Sequence, residues 1–266
     1  HDVGVVFAKL IDHLVERRGV WRRTRVVLTV RFLVPGPHAG EEGVELVVEV
    51  LALSIAHAHP EPRHDRSDAA SVGLVGCGVQ GYYQLLYACA ARPIRRITLY
   101  DLSADAVGAM EGKLRSALPE VEIQAAASTA ELARASEILI TATTARQPVF
   151  PDDPALFAGK HCAAIGSFEP EVREYPDALW GQVDKVWVDI DFAKEESGEL
   201  FVPMQKGLLR EEQVETLGHF IRSARAPERG TRGTTFSKSV GMALFDLTTA
   251  RLAYVNALEK GLGTQL

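Results

Sequence analysis

Cysteine is scarce in this chain of 266 residues: Cys77, Cys89 and Cys162 form neither a C-x-x-C pair nor an even set. A disulfide framework and a cysteine-built zinc site are thereby excluded as organising features, and buried thiols in a reduced, cytoplasmic setting are expected. Long apolar runs are also missing. None reaches the ~18–20 residues that cross a bilayer, and the start lacks the charged-then-apolar pattern of a secretory signal, so no membrane partner is expected. Positive charge is thin: 29 Lys and Arg stand against 35 Asp and Glu, the formal net charge is −6, and no basic run exceeds Arg22-Arg23. Nothing in that balance favours a nucleic-acid partner. There is no internal repeat and no low-complexity tract.

What is present is apolar mass, 47% of the residues, enough for one large or two medium domains. Residues 5–15 place Val6, Phe7, Leu10, Ile11, Leu14 and Val15 at helical spacing, with Gly19 as a stop. Residues 25–34 read as a strand closed by Pro35-Gly36-Pro37, residues 44–55 as a second apolar element, and residues 57–68 as a linker. Beyond it, short apolar strands at 71–75, 94–100, 120–125, 137–141, 161–165 and 185–190 alternate with helices. That alternation predicts an α/β fold, a Rossmann-like doubly wound parallel sheet whose strands are apolar throughout because helices cover both faces. A last helix is expected after Ser239. The division predicted is an N-terminal lobe, 1–68, completed by 236–266, as a smaller α+β lobe, with a dinucleotide-binding domain over 69–235 and substrate in the cleft between them.

The first strand of that domain runs into Gly76-Cys77-Gly78-Val79-Gln80-Gly81, a G-x-G-x-x-G turn. Gly76 permits the tight turn, Gly78 lets the backbone approach a pyrophosphate, and Gly81 lets the next helix pack close to the sheet. The pyrophosphate would meet the helix N-terminus, where N–H groups are unpaired and the dipole favours anions. The second strand ends at Asp101, whose carboxylate suits ribose hydroxyls and repels a 2′-phosphate; with Leu102 rather than an arginine after it, the cofactor expected is NAD.

Five stretches, SVGLVGCGVQG, ILITATTARQPVF, AAIGSFEPEVREYP, VWVDI with ESGEL after it, and TTFSKSVGMALFDLTTA with ALEKGLG, carry a resemblance to the ornithine cyclodeaminase/mu-crystallin family. The resemblance implies that Val79, Gln80 and Asp101 hold the dinucleotide and that Thr141 and Thr143 border it. It also implies that the backbone of Ala164, Ile165 and Gly166 lies near the nicotinamide, that Ser239 and Val240 close the site, Val240 on the substrate side, and that the protein is a homodimer. Thr141 and Thr143 can equally be ordinary strand formers, and Ser239 a helix N-cap. Lys238 and Asp246 also fit the family pattern and are read as solvated helix residues or an intramolecular pair.

Members of such a family transfer hydride at a carbon bearing nitrogen, which needs an acid or base near the imine and a cation for the substrate carboxylate. The expected activity is an NAD-dependent oxidoreductase acting on a small amino acid or its imine. Two departures from the family pattern keep other readings open. Phe168 stands where ornithine cyclodeaminases carry a proton-transferring aspartate, so the catalytic residue is left unassigned, and Glu169, Glu171 and Glu174 nearby are expected to be solvated. The N-terminal region VEVLALSIAHAHP lacks the family's arginine, leaving Arg25 and Arg31 as the strand cations offered for a carboxylate; His57 and His59 can be a base or a metal pair, but with no third ligand nearby they are read as surface residues. Ornithine cyclodeamination and a non-enzymatic, mu-crystallin-like ligand binder stand as alternatives.

Overall fold

The protein was analysed as a computed structural model that describes residues 69–223 and 233–259. The elements expected over 5–15, 25–34, 44–55 and 57–68, with Arg25, Arg31, His57 and His59, lie outside the described residues. In chain order the described elements are β1 (Ser71–Val75), α1 (Val79–Ala91), β2 (Arg96–Tyr100), α2 (Ala104–Ala117), β3 (Glu122–Ala125), α3 (Thr129–Ala135), β4 (Ile138–Thr141), β5 (His161–Ala164), α4 (Asp177–Trp180), β6 (Val183–Val188), α5 (Ala193–Glu196), α6 (Gly198–Gln205), β7 (Val214–Thr216), α7 (Leu217–Arg222), β8 (Thr234–Lys238) and α8 (Ala243–Glu259). The eight strands form one sheet in the order β3-β2-β1-β4-β5-β8-β6-β7, and every pairing is parallel. The expected Rossmann-like architecture is therefore present. Strand order reverses between β1 and β4, the point at which such sheets open a crevice beyond their C-terminal ends.

Because successive side chains point to opposite faces, each central strand feeds two cores. Val72 and Leu74 of β1 join Ile138 and Ile140 of β4 and Ala163 of β5 on one face. Val75, Leu139, Cys162, Ala164 and Phe236 fall on the other. Aromatics are few, but several gather on this second face: Tyr175 lies 5.2 Å from Phe150 and 5.4 Å from Phe236, and Trp180 lies 4.7 Å from Phe236. Such pairs add to area burial and fix the segment after β5 against the sheet.

Two strands were not foreseen. The short β7 is one, and β8, Thr-Thr-Phe-Ser-Lys, is the other; it lies between β5 and β6 and is buried along its whole length. Its polar side chains are paired: Thr234 Oγ1 donates to Phe157 O at 2.9 Å, Thr235 and Ser237 sit 2.9 and 3.3 Å from the two ring nitrogens of His161, and Lys238 Nζ donates to two carbonyls. Burial of polar groups is tolerable when each has a partner. The sheet thus runs past Thr235, and Met242 and Ala243 mark the division between the unit that holds the sheet and the unit that holds α8. The last helix begins at Ala243, not directly after Ser239.

Gly81 shows how tightly α1 meets β1: a Cβ there would lie 2.4 Å from Gly76 O and 2.8 Å from Leu74 Cδ2. Gly81→Ala is expected to cost roughly 1–3 kcal/mol of stability in urea denaturation, the usual cost of overpacking. A loss below about 0.5 kcal/mol, within surface-substitution range, would show that the contact is looser than this.

Candidate functional site

The glycine turn is shaped by its neighbours. Gly76 adopts φ 99°, a conformation that disfavours any side chain, and a Cβ there would lie 2.4 Å from Ala142 O, just past β4. Its N–H donates to Tyr100 O at 3.0 Å, so the turn is seated between the ends of β2 and β4. Gly78 behaves differently: its backbone is extended, it caps α1 without any side-chain hydrogen bond, and a Cβ on it would meet nothing within 4 Å. The space beside Gly78 is open. Tyr82 N–H is the first to close on the helix, donating to Gly78 O at 3.1 Å, which leaves the N–H groups of the first turn without an intrahelical partner. Gln80 Oε1 is buried with no hydrogen-bond partner among the described residues, and Val79 is exposed.

Asp101 faces this turn. Its Oδ2 accepts from Cys77 N at 2.8 Å and its Oδ1 from Ser103 N at 2.9 Å, so it braces the glycine loop. Each carboxylate oxygen can accept more than one bond, and the partly exposed group keeps capacity for a ribose hydroxyl. Burial and the Asp101 charge push the Cys77 thiol up to about 12, which keeps it protonated and unreactive. An open cradle at Gly78, N–H groups without an intrahelical partner, an unpartnered Gln80 oxygen and an acid at the end of β2 together fit a dinucleotide: the N–H groups suit its pyrophosphate and Asp101 its ribose.

The far side of the crevice is organised by charges that the sequence reading placed elsewhere. Glu174, expected in a solvated loop, is fully buried. Its Oε1 accepts from Thr143 N and Thr143 Oγ1, both at 2.8 Å, and its Oε2 from Thr141 Oγ1 at 2.9 Å and Gly166 N at 2.8 Å. Glu169 and Glu171 are exposed as expected. Lys238, read as a solvated helix residue or part of a pair, is instead a buried strand residue at the end of β8, donating to Ala164 O at 3.3 Å and Ser239 O at 2.9 Å. Burial pushes its ammonium below the ordinary lysine range, against the pull of Glu174, Glu199, Asp189 and Glu196. Glu199, at the start of α6, is buried as well and accepts from the backbone N–H groups of Glu174 and Tyr175.

Thr141, Thr143, Ala164, Ile165 and Gly166 fall along the same rim. Thr141 is fully buried with its hydroxyl on Glu174, and Thr143 follows it out of β4. Ala164 ends β5, Ile165 N donates to Thr141 O at 2.9 Å, and Gly166 approaches so closely that a Cβ would lie 2.0 Å from Thr143 O. Ser239 does not cap α8: its hydroxyl, together with Val240 N and Gly241 N, donates to Asp189 Oδ2 at 2.9, 2.9 and 2.7 Å. Phe168 is 62% exposed, two residues past Gly166. Asp246 is exposed on α8. Asp189 and Glu199, within VWVDI and ESGEL, are not singled out by the sequence, because a lone carboxylate does not reveal whether it faces water or a loop.

Residues 63–261 match the Ornithine cyclodeaminase/mu-crystallin family. A Delta(1)-pyrroline-2-carboxylate reductase of Bacillus cereus (strain ZK / E33L) is 28% identical over 263 residues, covering 97% of this chain and 79% of the relative. An alanine dehydrogenase of Archaeoglobus fulgidus is 29% identical over 202 residues, covering 76% of this chain and 61% of the relative. Among solved structures, Thermococcus litoralis Delta(1)-pyrroline-2-carboxylate reductase in complex with NADH and L-proline superposes with a TM-score of 0.74 at 28% identity, covering 83% of this chain. This chain spans 66% of that one.

Glu199 generates a stability prediction. Burial, then the charge of Glu174, pushes its carboxyl from 4.5 up to about 8, opposed by the two backbone hydrogen bonds and by Lys238. A folded pKa above the unfolded one means that the folded state holds the proton more tightly, so the stability this contributes is complete below pH 4.5 and is lost as pH rises through about 8. In denaturant titrations across that range, Glu199→Gln, which cannot ionise, is expected to flatten the decline. Parallel curves for the two proteins would show that Glu199 ionises in the folded state as freely as in the unfolded one.

Proposed function

The chain belongs to the ornithine cyclodeaminase/mu-crystallin family, and from that premise we propose that it is an NAD-dependent oxidoreductase acting at the C–N carbon of a small amino acid or its imine. The observation that carries the reading is the open space at Gly78, in a turn that Asp101 braces at Cys77 N and that packs at Gly76 against Ala142 and Thr143. Bound NAD would supply or accept the hydride. The first turn of α1 would hold its pyrophosphate and Asp101 its adenine-side ribose, while Thr143 and Gly166, past the ends of β4 and β5, would flank the nicotinamide.

Reduction or oxidation is favoured over cyclising deamination by Phe168. Phe168 is exposed, and a phenyl ring there moves no proton. The Bacillus cereus and Thermococcus litoralis relatives point to cyclic imine carboxylates as the first substrates to try. A homodimer in the cytoplasm belongs to the same proposal; Cys77, Cys89 and Cys162 are free thiols, which suits a reducing compartment.

The direct test follows cofactor absorbance with NADH and Delta(1)-pyrroline-2-carboxylate, and with NAD and L-proline or L-alanine. Turnover with one of these supports the proposal. Saturable NADH binding without turnover across a broad panel of amino acids and imines would leave a ligand-binding protein instead. Gly78→Val should abolish NADH binding while changing stability by less than about 1 kcal/mol, since the position is open and its capping contribution is small. Unchanged NADH affinity in that folded variant would remove the glycine turn from the site. Asp101→Ala should weaken NADH about tenfold and narrow its preference over NADPH; an unchanged ratio would mean that Asp101 only braces the loop.

A further inference from the structure

We propose that Glu174 is a positioning residue that fixes the nicotinamide half of the cofactor site without touching the cofactor, by spanning the two strand-end loops between which the ring would lie. The inference rests on the cofactor reading above and names the side chain on which the geometry of that site depends.

The ladder between β4 and β5 ends at Thr141 and Ala164, and Ile165 N closes the last bond onto Thr141 O. Past that point the N–H groups of Thr143 and Gly166 have no opposing carbonyl in the ladder. Glu174 stands between them and divides its two oxygens: Oε1 serves Thr143, backbone and hydroxyl, and Oε2 serves Gly166 N and the Thr141 hydroxyl. Two backbone N–H groups and two hydroxyls at 2.8–2.9 Å occupy both oxygens, an arrangement that suits an acceptor-only carboxylate. A two-oxygen clamp of this kind sets the separation of the loops as well as their attachment.

The clamp is itself held on every side. Glu174 O accepts from Val149 N at 2.9 Å, Glu174 N donates to Glu199, and the neighbouring Tyr175 ring is locked in the aromatic cluster. Lys238 supplies the buried positive charge that a buried carboxylate needs, and it reaches the same rim through Ala164 O. Thr143 in turn is continuous with Ala142, whose carbonyl lies where a Cβ on Gly76 would have to go. Displacing Glu174 therefore shifts the rim on the nicotinamide side, while the glycine turn keeps its own bonds to Tyr100 O and Asp101.

The test compares two ligands on the full chain by calorimetry: NADH, and ADP-ribose, which has every part of the cofactor except the nicotinamide. Glu174→Gln presents an NH2 group to one of the two loops and so repels a backbone N–H that the carboxylate accepted. NADH affinity is expected to fall about tenfold while ADP-ribose stays within about twofold. A merely structural role would move both ligands together or neither, and either result overturns the proposal. Should Glu174→Gln fail to fold, Thr141→Val keeps the carboxylate and removes one donor; about threefold on NADH alone is then expected, and equal or absent effects overturn the proposal. If the unaltered protein binds neither ligand, it is the cofactor reading itself that fails.

Discussion

A carboxylate with no access to water joins the ends of two parallel strands, and the C-terminal rim of the sheet depends on it. Parallel strands stop pairing where their loops diverge, and each N–H past that point must find another acceptor or carry a penalty. Glu174 meets that demand for Thr143 and Gly166 together. Glycine at position 166 follows from the same constraint, because any Cβ there would collide with Thr143 O and crowd Glu174. So does the placement of the loop that carries Phe168, which leaves the clamp directly after Gly166 and is tied down by Ser167, whose hydroxyl lies 2.9 Å from that of Ser197.

Burying such a charge has consequences further out. Lys238 is drawn into the interior at the end of β8, and Glu199 is placed where its own ionisation is opposed by both burial and the Glu174 charge. The result is two carboxyls and one ammonium behind the rim, with burial and the Glu174 charge favouring the neutral form of Glu199. Breaking one member of such a set is costly because it strands the others without compensation. The opposite wall is built without buried charge, from backbone: a left-handed glycine, a close helix-to-strand approach and an acid that braces the turn from its partly exposed position.

This contrast explains what could be read from the sequence. The strand at Ser71–Val75 was legible to the residue, and the glycine turn and Asp101 with it, because a strand buried on both faces is a continuous apolar run and a tight turn demands glycine. β8 was not legible, since Thr-Thr-Phe-Ser-Lys resembles a polar loop until His161 and the carbonyls of Phe157 and Ala164 are seen to pair with it. Glu174 was misread for a related reason. It shares a short segment with Glu169 and Glu171, and composition cannot tell which of three nearby glutamates turns inward. Only Tyr175, an aromatic beside it that anchors the chain to the core, hinted that the segment returns to the interior.

On the proposed reading the two walls form a site for a dinucleotide without a 2′-phosphate, in a chain similar to a Delta(1)-pyrroline-2-carboxylate reductase and an alanine dehydrogenase. The most direct measurement is a titration of the unaltered protein with NADH and, separately, NADPH, followed by cofactor fluorescence or calorimetry. The account predicts one saturable site per chain and a clear preference for NADH, because the Asp101 carboxylate opposes a 2′-phosphate. Absence of saturable binding, or equal affinity for NADPH, would contradict it.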